Sequence, residues 1–307
     1  VAKEPVAQEP VPQEPAAPGT VAEAIRRRLG ECSPAERKVA RALLAAYPAA
    51  GLETVAKVAD RAGVSAPTVV RFANRLGYRG FPEFQQALRD ELDQREASPL
   101  SLYTATGFAA RGDSPADELL AAAARSHAAA LDSTYGALPP ADLQRAVDLL
   151  ADPKRRVLLT GGRFSSLHAR YLGLHLLQVR DDVRLLPEGE VERTAELANA
   201  GRRDVLGIFD FRRYEQQSLA LATLVARRGG KVVLFTDHWL SPVSAVADVV
   251  LPSQVGAATT PYDTLVPALA VVETVVTGVL QALGDRAEQH LRRAEETSQA
   301  LRTETGA

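Results

Sequence analysis

Basic and hydroxyl side chains at helical spacing carry the plainest chemistry in this sequence. Thr68, Arg71 and Arg75 recur at i, i+3 and i+7, so an α-helix places them on one face, whereas Val69, Ala73 and Leu76 fall on another. The apolar face can pack while the polar face stays free to read a partner. A guanidinium early in such a helix can pair with a guanine edge, which makes Thr68 and Arg71 the expected base readers. Ser65 opens the same helix, and Lys57, Arg61, Arg75 and Arg79 flank it as expected holders of phosphate. The plain alternative is a solvated helix face.

The elements that would position these residues lie in 54–80. Val55, Val58 and Ala59 form an apolar stripe, Gly63 suits a left-handed turn, and Ser65 with Pro67 suits a helix start. Two helices joined by a glycine turn, the second with a basic outer face, are the parts of a helix-turn-helix that enters the DNA major groove. Charge supports this locally. The whole chain of 307 residues carries a net charge of −2, but residues 21–89 hold twelve Lys and Arg against six Asp and Glu. A balance of +6 inside a slightly acidic protein suits phosphate binding.

A second set of residues belongs to a different pattern. Short β-rich runs at 156–160, 183–186, 205–209, 231–236 and 249–251 alternate with helical stretches at 165–179, 190–200, 214–228 and 242–247. This alternation predicts an α/β domain with a five-stranded parallel sheet flanked by helices, whose ligand site lies beyond the carboxyl ends of the strands. Gly161, Ser165 and Ser166 fall in a strand-to-helix loop, where backbone N–H groups and hydroxyls can receive an anion, or where Ser165 is simply an N-cap. Arg212 and Arg213 follow the third strand as either ion-pair partners or anion ligands, and Thr236 ends the fourth. His168, His175, Gln178 and His238 lack metal-ligand spacing, so neither a metal nor a cofactor is expected.

Domain boundaries follow from composition. Residues 1–19 repeat Gln-Glu-Pro and predict a disordered Pro-rich tail; 20–95 predict an all-α DNA-binding domain. Residues 96–115 lack periodicity and predict a linker, 116–285 the α/β effector domain, and 286–307 a charged helix. Cys32 is the single cysteine, which rules out an intrachain disulfide and suits a reducing, cytoplasmic setting. The longest apolar run, 265–283, is interrupted by Glu273, and a buried helix rather than a membrane span is expected.

The order of these parts resembles the RpiR family of bacterial transcriptional regulators, which join a helix-turn-helix domain to a sugar isomerase (SIS) domain. The resemblance rests on Ser33-Pro34-Ala35-Glu36-Arg37-Lys38-Val39-Ala40, on Val64-Ser65 through Thr68-Val69-Val70-Arg71-Phe72, and on Leu76-Gly77-Tyr78-Arg79-Gly80-Phe81 with Phe84. In the second half it rests on Gly161 to Ser166, Phe235-Thr236-Asp237 with Ser241-Pro242, and Ala247-Asp248. It implies a double-stranded DNA operator as partner, a small anionic effector of phosphosugar or sugar-acid type, and a homodimer or homotetramer. The same fold also serves sugar-phosphate isomerases. That alternative needs an acid or base beside the sugar, for which Glu188, Glu190 and Glu192 are the available residues. One departure stands out: where the family has a Ser-x-Ser-Gly-x-Thr loop for a sugar phosphate, this chain has Phe209-Asp210-Phe211-Arg212-Arg213-Tyr214. The hydroxyls and glycine are replaced by two guanidiniums, which favours an anion without favouring a phosphosugar.

Overall fold

The computed structural model describes residues 20–105, 107, 114–255 and 260–304, so the expected Pro-rich tail lies outside the described residues. The chain forms two compact units, Val1–Gln85 and Gln86–Ala307.

The first unit is helical: α1 Val21–Arg28, α2 Pro34–Ala45, α3 Ala49–Leu52, α4 Val55–Ala62, α5 Ala66–Arg75 and the start of α6 Phe81–Glu96. Two reciprocal caps fix its early helices. Thr20 Oγ1 accepts from the Glu23 N–H at 3.1 Å while Glu23 Oε2 accepts from the Thr20 N–H at 3.1 Å. Ser33 and Glu36 repeat the arrangement at 3.3 and 2.8 Å, as Ser-x-x-Glu predicts. Gly63 takes φ 60° and ψ 48°, the left-handed turn that lets α4 hand over to α5. Ile25, Val39, Leu43, Val58, Val69 and Phe72 are buried to 2% exposure or less and form the core that seats α5. Phe81 and Phe84 stack with centroids 5.5 Å apart, and Tyr78 meets Phe84 edge-on at the same distance. Pro48 stands at the N-cap position of α3.

The second unit is an α/β domain. After the last turns of α6 come α7 Pro99–Ala105, α8 Ala116–Ala137 and α9 Pro140–Ala151. The alternation then runs β1 Arg156–Gly161, α10 Ser166–Val179, β2 Val183–Leu185, α11 Glu190–Ala198, β3 Asp204–Phe209, α12 Gln216–Arg227, β4 Lys231–Asp237 and β5 Val249–Ser253. It closes with α13 Val266–Leu283 and α14 Asp285–Glu304. The helix α7 corrects the expected linker: Ser98 Oγ accepts from the Ser101 N–H at 3.0 Å and Pro99 stands first, so Ser-Pro starts a helix here rather than marking a loop. No α7 residue is buried, which is why it left no apolar periodicity. The expected helix at 242–247 is a single 3-10 turn, Pro242–Ala245.

All five strands are parallel in the order β2-β1-β3-β4-β5. Side chains alternate across the sheet with period two. Val157, Leu159, Val205, Phe209, Val233 and Phe235 face the core that α9, α10 and α13 cover. Leu158, Leu206, Ile208, Val232 and Leu234 face the opposite core, with Leu197 of α11 and Ala222 and Val225 of α12. Burial on both faces explains why the strands read as continuous apolar runs. The α13 helix is 18 residues long and apolar enough to cross a membrane, yet Val271, Val272, Val275 and Val279 are almost wholly buried in the first of these cores.

Candidate DNA interface and anion-binding cleft

The helix-turn-helix presents its polar face with an uneven set of commitments. Lys57, Arg61, Ser65, Arg71, Arg75 and Arg79 are exposed, whereas Thr68 is only 6% exposed. This corrects the placement of Thr68 among the free base readers. Its hydroxyl lies 2.9 Å from Ser65 Oγ and accepts from Arg71 Nη2 at 3.1 Å, so it holds the arginine rather than reaching outward. Ser65 stands at the N-cap position, but its side chain turns to Thr68 and makes no capping bond.

Among the cations, Arg61 pairs with Glu53 at 2.8 Å, Arg75 with Glu36 at 2.9 Å and Arg79 with Glu83 at 3.3 Å. Lys57 and Arg71 have no ion-pair partner among the described residues. The Arg71 guanidinium lies on a cleft bordered by Arg28, Glu31, Asn74 and Arg75. It is therefore the arginine of α5 whose charge is open to an outside acceptor and whose direction is fixed by Thr68. Cys32 is buried, its thiol donates to Arg28 O at 3.2 Å, and burial raises its pKa.

The second unit carries a cleft of about 420 Å³ at the carboxyl ends of β1 and β3. These two strands are where the chain reverses its direction of travel across the sheet, since β2 lies to one side of β1 and β3, β4 and β5 lie to the other. Loops diverge at such a switch point and leave a crevice between them. One wall is the loop after β1, with Gly162, Arg163 and Ser165; the other is the loop after β3, with Asp210, Arg212 and Arg213.

Each loop is pinned from within. A Cβ on Gly161 would lie 2.7 Å from Ser166 N and 2.8 Å from Ser165 O, so only glycine allows the turn into α10. Ser165 is 6% exposed; its hydroxyl donates to Phe209 O at 2.8 Å and accepts from the Gly162 N–H at 2.9 Å. The Ser166 N–H donates to Gly162 O at 2.8 Å, and the Ser166 hydroxyl bonds Arg163 O at 3.4 Å. Ser165 and Ser166 thus stitch the loop together. Neither hydroxyl stands open in the way an anion receptor needs.

Arg212 and Arg213 have opposite surroundings. The Arg212 side chain is 6% exposed, and its guanidinium grips Asp263 with two nitrogens, Nε donating to Oδ2 at 2.8 Å. Its Nη1 donates to Gln94 O at 2.8 Å, and its plane lies over Trp239 at 4.8 Å. Of the two readings left by the sequence, ion-pair partner is the one that its contacts bear out. Arg213 instead turns outward at φ 66°, exposed and without an ion-pair partner among the described residues. Arg163, across the cleft, is 74% exposed and reaches Glu215 only at 4.0 Å. Thr236 is 0% exposed, accepts from the Ser241 N–H at 3.0 Å and does not line the cleft, which corrects its expected place at the site.

Beneath the Arg212 loop lies a buried acid. Asp237 accepts from the Tyr214 hydroxyl and the Arg212 N–H at 2.5 Å each and from the Trp239 N–H at 3.0 Å. Complete burial pushes its carboxyl up to about 6 despite these bonds. Burial likewise raises Tyr214, whose ring lies under Arg95 at 4.9 Å, and burial lowers neighbouring His238 to about 4. Asp210 is 2% exposed, raised by burial, and tied to Ser241. Glu188, Glu190 and Glu192 are exposed and outside the cleft.

A basic helix-turn-helix ahead of a parallel α/β domain with a ligand cleft at its switch point defines a two-domain transcriptional regulator. Residues 19–95 match the helix-turn-helix domain of the rpiR family, and residues 149–278 match the SIS domain. The chain belongs to the RpiR family of helix-turn-helix regulators with a SIS domain. A curated relative, the HTH-type transcriptional regulator HexR of Pseudomonas aeruginosa, is 29% identical over 282 residues, covering 90% of this chain and 94% of the relative. The sugar isomerase domain of an RpiR transcription factor from Sphaerobacter thermophilus is 25% identical with a TM-score of 0.51, over 55% of this chain and 94% of that one. The Vibrio vulnificus NanR protein, solved in complex with ManNAc-6P, shares the fold at 20% identity and a TM-score of 0.51, over 91% of this chain and 98% of that one. The chain is accordingly a DNA-binding transcriptional regulator rather than a sugar isomerase.

Proposed function

We propose that this regulator works in the cytoplasm as a homodimer or dimer of dimers whose paired α5 helices read an operator, and that a small anionic metabolite in the cleft of its SIS domain modulates that binding. One recognition helix spans too few base pairs for a useful specificity ratio, which is why a symmetric pair is required. On the DNA side, Arg71 takes the base edge, Thr68 and Ser65 orient it, and Lys57, Arg61, Arg75 and Arg79 hold phosphates. On the ligand side the observation that carries the reading is the pair Arg163 and Arg213, two exposed guanidiniums facing one crevice at the switch point. The NanR complex with ManNAc-6P supports an anionic small molecule as the class of effector.

A ligand alters operator affinity only by as much as it prefers one arrangement of the recognition helices over another. The test is a titration of operator DNA with full-length protein in the presence and absence of anions that raise its melting temperature. Stabilisation accompanied by a changed operator affinity, with the anion recovered intact, is the expected result. Stabilisation with no change in operator affinity would overturn the coupling.

A further inference from the structure

We infer that Asn74 is a second base-reading residue of α5, selecting an adenine within about two base pairs of the guanine taken by Arg71. This rests on the reading that α5 lies in the major groove with Arg71 on a base edge.

The first observation is what remains free on the outer face of the helix. Base edges are read by side chains that can donate or accept a hydrogen bond. Of the polar side chains on α5, Thr68 is buried and accepts from Arg71 Nη2, and Arg75 is held by Glu36 at 2.9 Å. Ser65, at the cap, is bonded to Thr68 at 2.9 Å. Ala66 and Pro67 are exposed but carry no polar group. Asn74 is exposed, and its amide has no hydrogen-bond partner among the described residues. Arg71 keeps its charge unpaired, and Asn74 keeps its whole amide.

The second observation is placement. Asn74 stands three residues after Arg71, which puts the two on one face and about 4.5 Å apart along the axis at about 1.5 Å per residue. Both border the same cleft. Base pairs stack about 3.4 Å apart, so a helix lying along the groove carries Asn74 to the pair beside that of Arg71 or to the one after it. Gly77, one turn further, is exposed and has no side chain to hold the duplex away from so short an amide.

The third observation is the residue type. Asn is a weaker helix former than Ala, because its amide competes for backbone hydrogen bonds, and it is favoured where such a bond is made. In the last turn of α5 its side chain makes none: Leu76 is the C-cap, and the Gly77 N–H goes to the main-chain oxygen of Asn74 at 3.0 Å. The amide thus weakens the helix and returns no hydrogen bond to the fold. A carboxamide accepts from adenine N6 and donates to adenine N7 at once, a pairing that guanine cannot match because it presents two acceptors there.

The experiment selects duplexes from a random-sequence library with full-length wild type, Arg71→Ala and Asn74→Ala, then measures affinity for the best wild-type duplex and for one fixed random duplex. Asn74→Ala should lose an adenine column within about two base pairs of the column lost by Arg71→Ala. Its affinity for the selected duplex should fall about five- to hundredfold, the worth of one bidentate base contact. Its affinity for the random duplex should stay in place, because no phosphate-binding charge is removed. An unchanged Asn74→Ala logo, loss at a base other than adenine, or equal weakening on both duplexes overturns the inference, and the Arg71 reading stands if Arg71→Ala still loses its own column. An unchanged logo in both variants, or a wild type that selects no sequence, overturns both.

Discussion

Glu36 accepts the Nε–H of Arg75 at 2.9 Å, hooking the end of α5 to the first turn of α2. The same carboxylate caps α2 through Ser33. Burial raises the Glu36 pKa, but the Ser33 N–H and the Arg75 guanidinium outweigh burial and hold the carboxyl below its ordinary value of 4.5. A depressed carboxyl contributes stability above its unfolded pKa and loses it as the pH falls through the folded one. Glu36→Ala should cost about 1–3 kcal/mol, because it removes the acceptor of both the Ser33 N–H and the Arg75 Nε–H. Denaturant melts should show this cost at pH 7 and a smaller one as the pH falls through the depressed Glu36 pKa.

Arg71→Ala should lower specific operator affinity by about 1–3 kcal/mol and relax preference at one base pair. Thr68→Val should reproduce part of that loss, because it removes the hydroxyl that accepts from Arg71 Nη2. A binding-site logo selected from random DNA measures both, and an unchanged logo in Arg71→Ala would refute the base-reading role.

Lys57→Ala should weaken operator and random DNA alike and reduce the salt slope of binding by about one. Arg61→Ala should do less to the slope, since the Arg61 charge already has Glu53 at 2.8 Å. Affinities measured from low to moderate salt separate the two.

Gly161→Ala should destabilise the second unit by about 1–3 kcal/mol, because the added Cβ meets rigid backbone at 2.7–2.8 Å. Its melting temperature should fall while the helix-turn-helix still binds random DNA.

Asp237→Asn should change the shape of the stability profile between about pH 4 and pH 6. The native carboxyl is raised to about 6, whereas an unfolded aspartate titrates near 3.9. The folded state therefore binds more protons in that window, and wild-type stability drops as the pH rises through it. Asparagine removes this slope, although its amide opposes the Arg212 N–H and lowers stability at every pH. The wild-type advantage should shrink from pH 4 to pH 6; a constant difference would refute the titration.

The sequence conveyed most of the architecture because its signals are local. Ser33-Pro34-Ala35-Glu36, Gly63 and Pro67 each encode a helix end by their own chemistry, and the apolar runs encode strands buried on both faces. What it did not convey depends on partners distant in the chain. Nothing around Thr68 says that its helix will turn it inward, and nothing around Arg212 says that Asp263, 51 residues away, will take its charge. Strand order is equally silent in a linear pattern, so the carboxyl ends of β1 and β3 emerged as the crevice only from the pairing of β1 with both β2 and β3. In the sequence Arg163 is one residue of a glycine loop, and only its exposure across the cleft from Arg213 distinguishes it.

The contrast between Arg212 and Arg213 also bears on how such a protein diversifies. One arginine is spent on holding its loop, and the next stands outside that bargain. Exchanging Arg213, Arg163 or Phe164 would therefore alter the chemistry of the crevice rim and leave the contacts below it in place, because all three side chains are exposed. Changing Arg212 would forfeit the scaffold first. Two adjacent arginines are thus separable by mutation, one by its effect on folding and the other by its effect on the open face of the crevice.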